Sequence, residues 1–237
     1  MTTVRSPRTP AAERRADVWR RWVAANALAE LVGLSLAAGV AIMVAPWLDA
    51  GEPAPLFTAT ALVIAGGGLE GLVVGRLQWQ VLCDPLPVLA AGRWVGATVL
   101  GAVLAWTLGM LPSTAMTLLD GGGGQAPAAA PFGAAVQYAL AAVLGAVAGL
   151  VLGWPQARVL RGHVPRAGRW LLANAVAWAV AMPVIFLGID LAFALRTLPA
   201  RILVGMLTCL AAGAVAGAIH GRWLVRMTMG HDVPRRA

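Results

Sequence analysis

Apolar residues along this chain gather into six long runs, at residues 22–47, 56–75, 94–111, 133–154, 170–189 and 202–223. A helix that crosses the hydrocarbon core of a bilayer needs roughly 20 mostly apolar residues. The runs lack the period-two alternation of a membrane barrel, which excludes strands. The pattern therefore predicts an all-α fold, a polytopic bundle of six transmembrane helices in residues 22–223. Residues 1–21 are too polar and Arg-rich for the apolar region of a signal peptide, and the first apolar run is too long for one. They read as a retained tail, with a second tail at 224–237.

Composition agrees with this reading. Hydrophobic residues make up 59% of the chain and charged residues only 12%, whereas soluble domains are about a quarter charged. A soluble fold of 237 residues could not hide so much apolar surface, because small globules bury too little of their chain. All 18 basic residues are Arg, a bias that points to a GC-rich bacterial genome. The net charge of +8 does not imply nucleic acid, since the Arg residues flank the apolar runs and serve topology.

With the N-terminus inside the cell, sixteen Arg fall on the cytoplasmic side and only Arg196 and Arg201 on the other. This positive-inside bias predicts a bacterial inner-membrane protein with both termini cytoplasmic. The Arg-rich N-terminal tail is expected to meet anionic lipid headgroups. Trp19, Trp22, Trp47, Trp79, Trp94, Trp154, Trp170 and Trp223 fall near the predicted helix ends and read as an aromatic belt. The third loop, with Gly121–Gly124 followed by Gln125-Ala126-Pro127, has the composition of a mobile external loop.

Internal periodicity is the most informative feature. The odd-numbered spans open alike: Arg21-Trp22-Val23-Ala24-Ala25-Asn26, Arg93-Trp94-Val95-Gly96-Ala97-Thr98 and Arg169-Trp170-Leu171-Leu172-Ala173-Asn174. The even-numbered spans end on matching glycine ladders: Gly67, Gly71, Gly75; Gly145, Gly149, Gly153; Gly213, Gly217, Gly221. After the first two ladders comes a shared element, Gln78 with Val81-Leu82 and Gln156 with Val159-Leu160. These matches predict three helical hairpins, residues 21–82, 93–160 and 169–226, around a pseudo-three-fold axis along the membrane normal. Residues four apart share a helix face, so each ladder lets a neighbouring backbone approach closely and gain dispersion contacts.

Two acids break the repeat. Glu30 lies eight residues past Trp22, and Glu70 six residues before Arg76. At 1.5 Å per residue these are depths of about 12 and 9 Å from the inner ends, so both carboxyls can share one level. Placing an ionised Asp-like group there costs roughly 2.5–3.5 kcal/mol on insertion scales. A proton, a partner, a cation or water must compensate, and two close carboxyls favour holding a proton between them. The matching positions are Ala102 and Trp178 for Glu30, and Ala148 and Ala216 for Glu70; folding the repeat does not require acids there. Beside Glu70, Gly66-Gly67-Gly68 weakens the helix, like the broken-helix ion sites of transporters. The bland alternative is that each Glu is protonated, or faces a cytoplasmic crevice, without a task.

Asn26, Thr98 and Asn174 occupy matching positions. They read as a polar layer that hydrogen-bonds across helices, each bond worth about 1 kcal/mol or less in a membrane, or as a substrate-lining ring. His220 and Asp190 read as interfacial, Trp178 as core filler, and Pro183 as a kink in the fifth span. Cys83 and Cys209 show no metal or redox spacing. No P-loop, dinucleotide fingerprint, HExxH or nucleophile elbow occurs. Nothing in the sequence identifies a cofactor.

The segments Gly71-Leu72-Val73-Val74-Gly75-Arg76-Leu77-Gln78-Trp79-Gln80-Val81-Leu82 and Arg169-Trp170-Leu171-Leu172-Ala173-Asn174 resemble a group of bacterial six-span membrane proteins with repeated G-x3-G-x2-Q-W-x2-L motifs. The resemblance covers most of residues 71–180. The chain departs from the pattern at Cys83, where Arg is usual, and at Ala157, where Trp is usual. The resemblance implies the fold and no particular activity. The three-hairpin plan is also similar in topology to mitochondrial carriers, whose acidic Pro-x-Asp/Glu signatures are absent here.

Two functions fit these residues. One is a small transporter or channel with a proton or cation site at Glu30 and Glu70. The other is a non-catalytic structural or assembly subunit of a larger membrane complex, with a membrane-protein partner or a second copy of the chain. The want of any catalytic cluster argues against an enzyme.

Overall fold

The computed structural model describes residues 11–49, 52–119 and 133–229. They form six helices: α1 Ala11–Asp49, α2 Pro53–Leu82, α3 Ala91–Leu119, α4 Ala134–Leu160, α5 Arg169–Ala194 and α6 Leu198–Met229. All six are long and apolar enough to cross a membrane, and the chain is a multi-pass membrane protein. The Gly121–Gly124 loop, residues 1–10 and residues 230–237 lie outside the described residues.

The helices outrun the apolar runs that announce them. α1 is 39 residues, about 58 Å at 1.5 Å per residue, far more than a hydrocarbon core of about 30 Å. Backbone hydrogen bonds continue as long as no residue interrupts them, whatever the polarity of the side chains. Pro53 opens α2 at a position where its missing N–H costs nothing. Helix α5 continues through Pro183.

Each helix packs on its neighbours in the chain, and α6 packs back on α1, so the six close into a ring. Non-adjacent backbones stay apart, and side chains alone meet across the axis. The beginning of α1 meets the end of α6: the Arg15 guanidinium donates to the Met229 carbonyl at 2.6 Å. Arg21 pairs with Asp84 in the α2–α3 turn at 2.6 Å. At the opposite end, the Tyr138 hydroxyl donates to Asp190 at 2.8 Å. Large apolar side chains such as Leu36, Ile42, Leu108, Val143 and Leu203 lie on the outside of the ring, unpartnered. A soluble protein rarely exposes apolar patches of that extent.

The glycine ladders lie on the seams between hairpins. Each ladder of α2, α4 and α6 faces the odd helix that follows it around the ring, α3, α5 and α1. A Cβ at Gly71 would lie 2.7 Å from the Ala102 Cβ and 3.0 Å from the Val99 Cα. One at Gly149 would run into the Asn174 carbonyl, and one at Gly217 would sit 2.9 Å from the Asn26 Cβ. Real side chains do not approach so closely, so these backbones meet only because hydrogen occupies the place of Cβ. The α3–α4 seam has no such ladder and is the loosest in the ring.

Candidate functional site

Each odd helix aims one tryptophan at the axis, from the first turn of α3 and α5 and from eleven residues into α1. Trp22, Trp94 and Trp170 are fully buried. Ring centroids lie 6.1 Å apart for Trp22–Trp170 and 6.2 Å for Trp94–Trp170. These three are therefore not belt residues, as their place near helix ends suggests. The reason is helical geometry: each lies four residues before Asn26, Thr98 or Asn174, on the face those residues turn inward. Trp154 does stay at the surface, with the Arg158 guanidinium 4.2 Å from its ring centroid, a cation–π contact.

His220 joins the cluster. It is 2% exposed, and its Nδ1 accepts the Trp22 indole N–H at 2.8 Å. Its ring meets that of Trp22 edge-on, with centroids 5.6 Å apart, and lies tilted against that of Trp170 at 5.4 Å. The interfacial placement expected from its nearness to the end of the last apolar run is thereby corrected: α6 extends two more turns beyond it, and the ring faces the axis.

One turn deeper lies a polar layer. Gln78 Nε2 donates to Asn26 Oδ1 at 2.8 Å. Gln156 Nε2 lies 2.9 Å from Thr98 Oγ1 and 3.2 Å from Gln78 Oε1. The Trp170 indole donates to Gln156 Oε1 at 2.8 Å. Asn26, Thr98 and Asn174 each donate back to the carbonyl of the tryptophan four residues earlier. Of these three, Asn26 and Thr98 bond across helices, while Asn174 bonds only within α5. The bonds between helices are made by Gln78 and Gln156, whose shared place after the glycine ladders does not by itself reveal that they face inward.

Deeper still, the two acids share a site. Glu30 is 4% exposed and Glu70 8%, and both line one cavity of about 30 Å³ with Asn26, Gln78, Gln156 and His220. Glycines make room for each acid. A Cβ at Gly213 would come within 2.8 Å of the Glu30 Cγ, and one at Gly33 within 3.0 Å of the Glu70 Cγ. The two carboxyls are served differently. Glu70 Oε2 accepts the Trp106 indole N–H at 2.9 Å, and that indole lies directly on Gly67. Glu30 Oε2 is buried with no hydrogen-bond partner among the described residues. The sequence does not reveal the Trp106 donor, because nothing local marks a residue 36 positions away as facing Glu70.

A cavity needs about 10–15 Å³ by this measure to hold one water, so the polar cavity has room for water, a small ion or a single charged head group, and not for a whole organic molecule. It adjoins an apolar chamber of about 260 Å³. Glu70, Ala102, Leu152 and Trp178 line both. Trp178, expected as core filler, thus forms a wall between two cavities. On the other side, Trp22, Trp94, Trp170 and His220 close the axis. Below them a hydrophobic plug includes Leu82, Leu160 and Leu224.

No family model matches the chain, and no curated protein or solved structure shows significant similarity to it.

Proposed function

We propose that this membrane protein moves a proton or a small cation by way of Glu30 and Glu70, as a small transporter. One observation carries the reading: a buried, unpartnered carboxylate oxygen on Glu30 faces a cavity that it shares with a second acid. A carboxyl at membrane depth is costly, and neither acid is matched in the other two hairpins. A side chain that the packing does not require, and that the protein leaves without a donor, suits a ligand that comes and goes. The tryptophan and leucine plug leaves no open pore, which favours alternating access over a channel. In this reading the three hairpins surround a pseudo-three-fold axis. The Arg-rich end, with twelve described Arg against two at the other end, faces the cytoplasm of a bacterial cell.

The test is flux in proteoliposomes holding the full chain, driven by a pH or sodium gradient. The Glu30→Gln/Glu70→Gln double variant is expected to insert and melt cooperatively while its flux falls to that of empty vesicles. Unchanged flux in the double variant would rule the site out.

A further inference from the structure

We propose that the joined cavities bind organic ammonium ions bearing N–H groups, with an apolar body of roughly ten heavy atoms, a size set by comparison with a 150 Å³ cavity that holds benzene. The inference rests on the transport reading and names its substrate class. Three observations carry it.

The first is the division of the space. The 260 Å³ chamber is walled by Leu34, Trp106, Trp178, Met182 and Ile185, and its single ionisable lining group is Glu70 at the boundary with the polar cavity. From Ala102 to Gly109 along α3 it runs about 10 Å. An apolar body fits the chamber only if its charged end sits at the acids. The second is the chemistry at that end. Glu30 Oε2 lacks a donor, so an ammonium that can donate satisfies it, whereas a quaternary ammonium cannot. Carboxyls and indole rings together are what an organic cation needs, and they disfavour an anion.

The third is the way in. The chamber is bounded by α3 and α4, the loosest seam. At Gly109, which lines the chamber, an added Cβ would meet nothing within 4 Å. On the α4 side of this seam, Leu144 lines the chamber and is 49% exposed on the lipid-facing surface. An amphipathic amine held in the bilayer can therefore enter sideways, apolar body last.

Binding to the purified full chain is measured by calorimetry and tryptophan fluorescence, using 2-phenylethylammonium, methylammonium and 3-phenylpropionate as probes. The expected result is saturable binding of 2-phenylethylammonium and none of 3-phenylpropionate. Glu30→Gln is expected to weaken it about thirtyfold or more, the usual result of removing one partner of a buried charge pair. Ala148→Phe, which fills the chamber, should abolish it; cooperative melting of each variant verifies folding. Equal binding of the phenylpropionate, or binding indifferent to Glu30→Gln, would overturn the proposal as adventitious uptake by an apolar hole. If 2-phenylethylammonium fails to bind while proton, sodium or methylammonium flux persists, the substrate class is wrong and the small-cation site stands. If flux is absent as well, both fall.

Discussion

Two polar levels lie one above the other on the same axis, and they are built on opposite principles. In the lower, Asn26, Gln78, Thr98 and Gln156 give and receive bonds among themselves, and Trp170 is tied to them. Nearly every group there has a partner inside the protein. In the upper, Glu30 and Glu70 have one donor between them among the described residues, the Trp106 indole. Both levels are equally buried, so burial does not distinguish structure from function in this protein. Unused acceptor capacity does: among the described residues Glu30 Oε2 is the one buried side-chain oxygen without a partner, the other two unpartnered atoms, Arg15 Nε and Trp94 Nε1, being donors. A saturated layer fixes helices to one another; an unsaturated one is held ready for something else.

The contrast breaks first at Gln156. Replacing it with Leu leaves the Trp170 indole, the Gln78 carbonyl oxygen and Thr98 short of partners at once. Three cross-helix bonds of about 0.6 kcal/mol each and an orphaned buried indole N–H at about 1–3 kcal/mol together predict a loss of about 3–5 kcal/mol in reversible unfolding from mixed micelles. A loss under about 0.5 kcal/mol would show that the layer does not hold the ring together.

At Glu30 the sign should reverse. Gln is nearly isosteric, carries no charge and brings its own N–H donors. Glu30→Gln is therefore expected to stabilise the fold by about 1 kcal/mol, in the range seen where a functional residue has been kept at the expense of stability. The same unfolding measurement checks it, paired with the flux assay. A variant that is both less stable and fully active would place Glu30 in the structural class with Gln156.

Much of this architecture can be read in the chain. Six helices follow from six apolar runs because lipid demands them. The level shared by Glu30 and Glu70 follows from counting 1.5 Å per residue from Trp22 and Arg76. Direction around the helix is where the reading fails. Hydropathy gives the height of Trp22, Trp94 and Trp170 but not their azimuth, and an inward tryptophan has the same sequence signature as a belt tryptophan. His220 fails for a related reason: its depth depends on α6 running to Met229, beyond the apolar stretch. Gln78 and Gln156 lie past the last ladder glycine, where polar residues are ordinary, and only the inward face of the ring makes them partners. The Trp106–Glu70 bond joins two hairpins and needs their packing to be known.

That bond is the smallest effect to be measured and the finest test of the contrast. Trp106→Phe removes the N–H donor and keeps a ring on Gly67, so packing there changes little. Glu70→Gln removes the acceptor's charge and keeps its shape. If the indole serves the carboxylate, the two substitutions are not additive: a double-mutant cycle should return a coupling of about 0.6 kcal/mol, and no more than about 1.7 kcal/mol. The same cycle run with Glu30→Gln in place of Glu70→Gln should return a smaller coupling, since no protein donor reaches Glu30 Oε2. Equal couplings at the two acids would mean that they share the indole through a common proton or ion, and the two carboxyls would then have to be treated as one group. No coupling at Glu70 would remove the only protein donor assigned to the pair, and leave the upper level bare of any fixed partner.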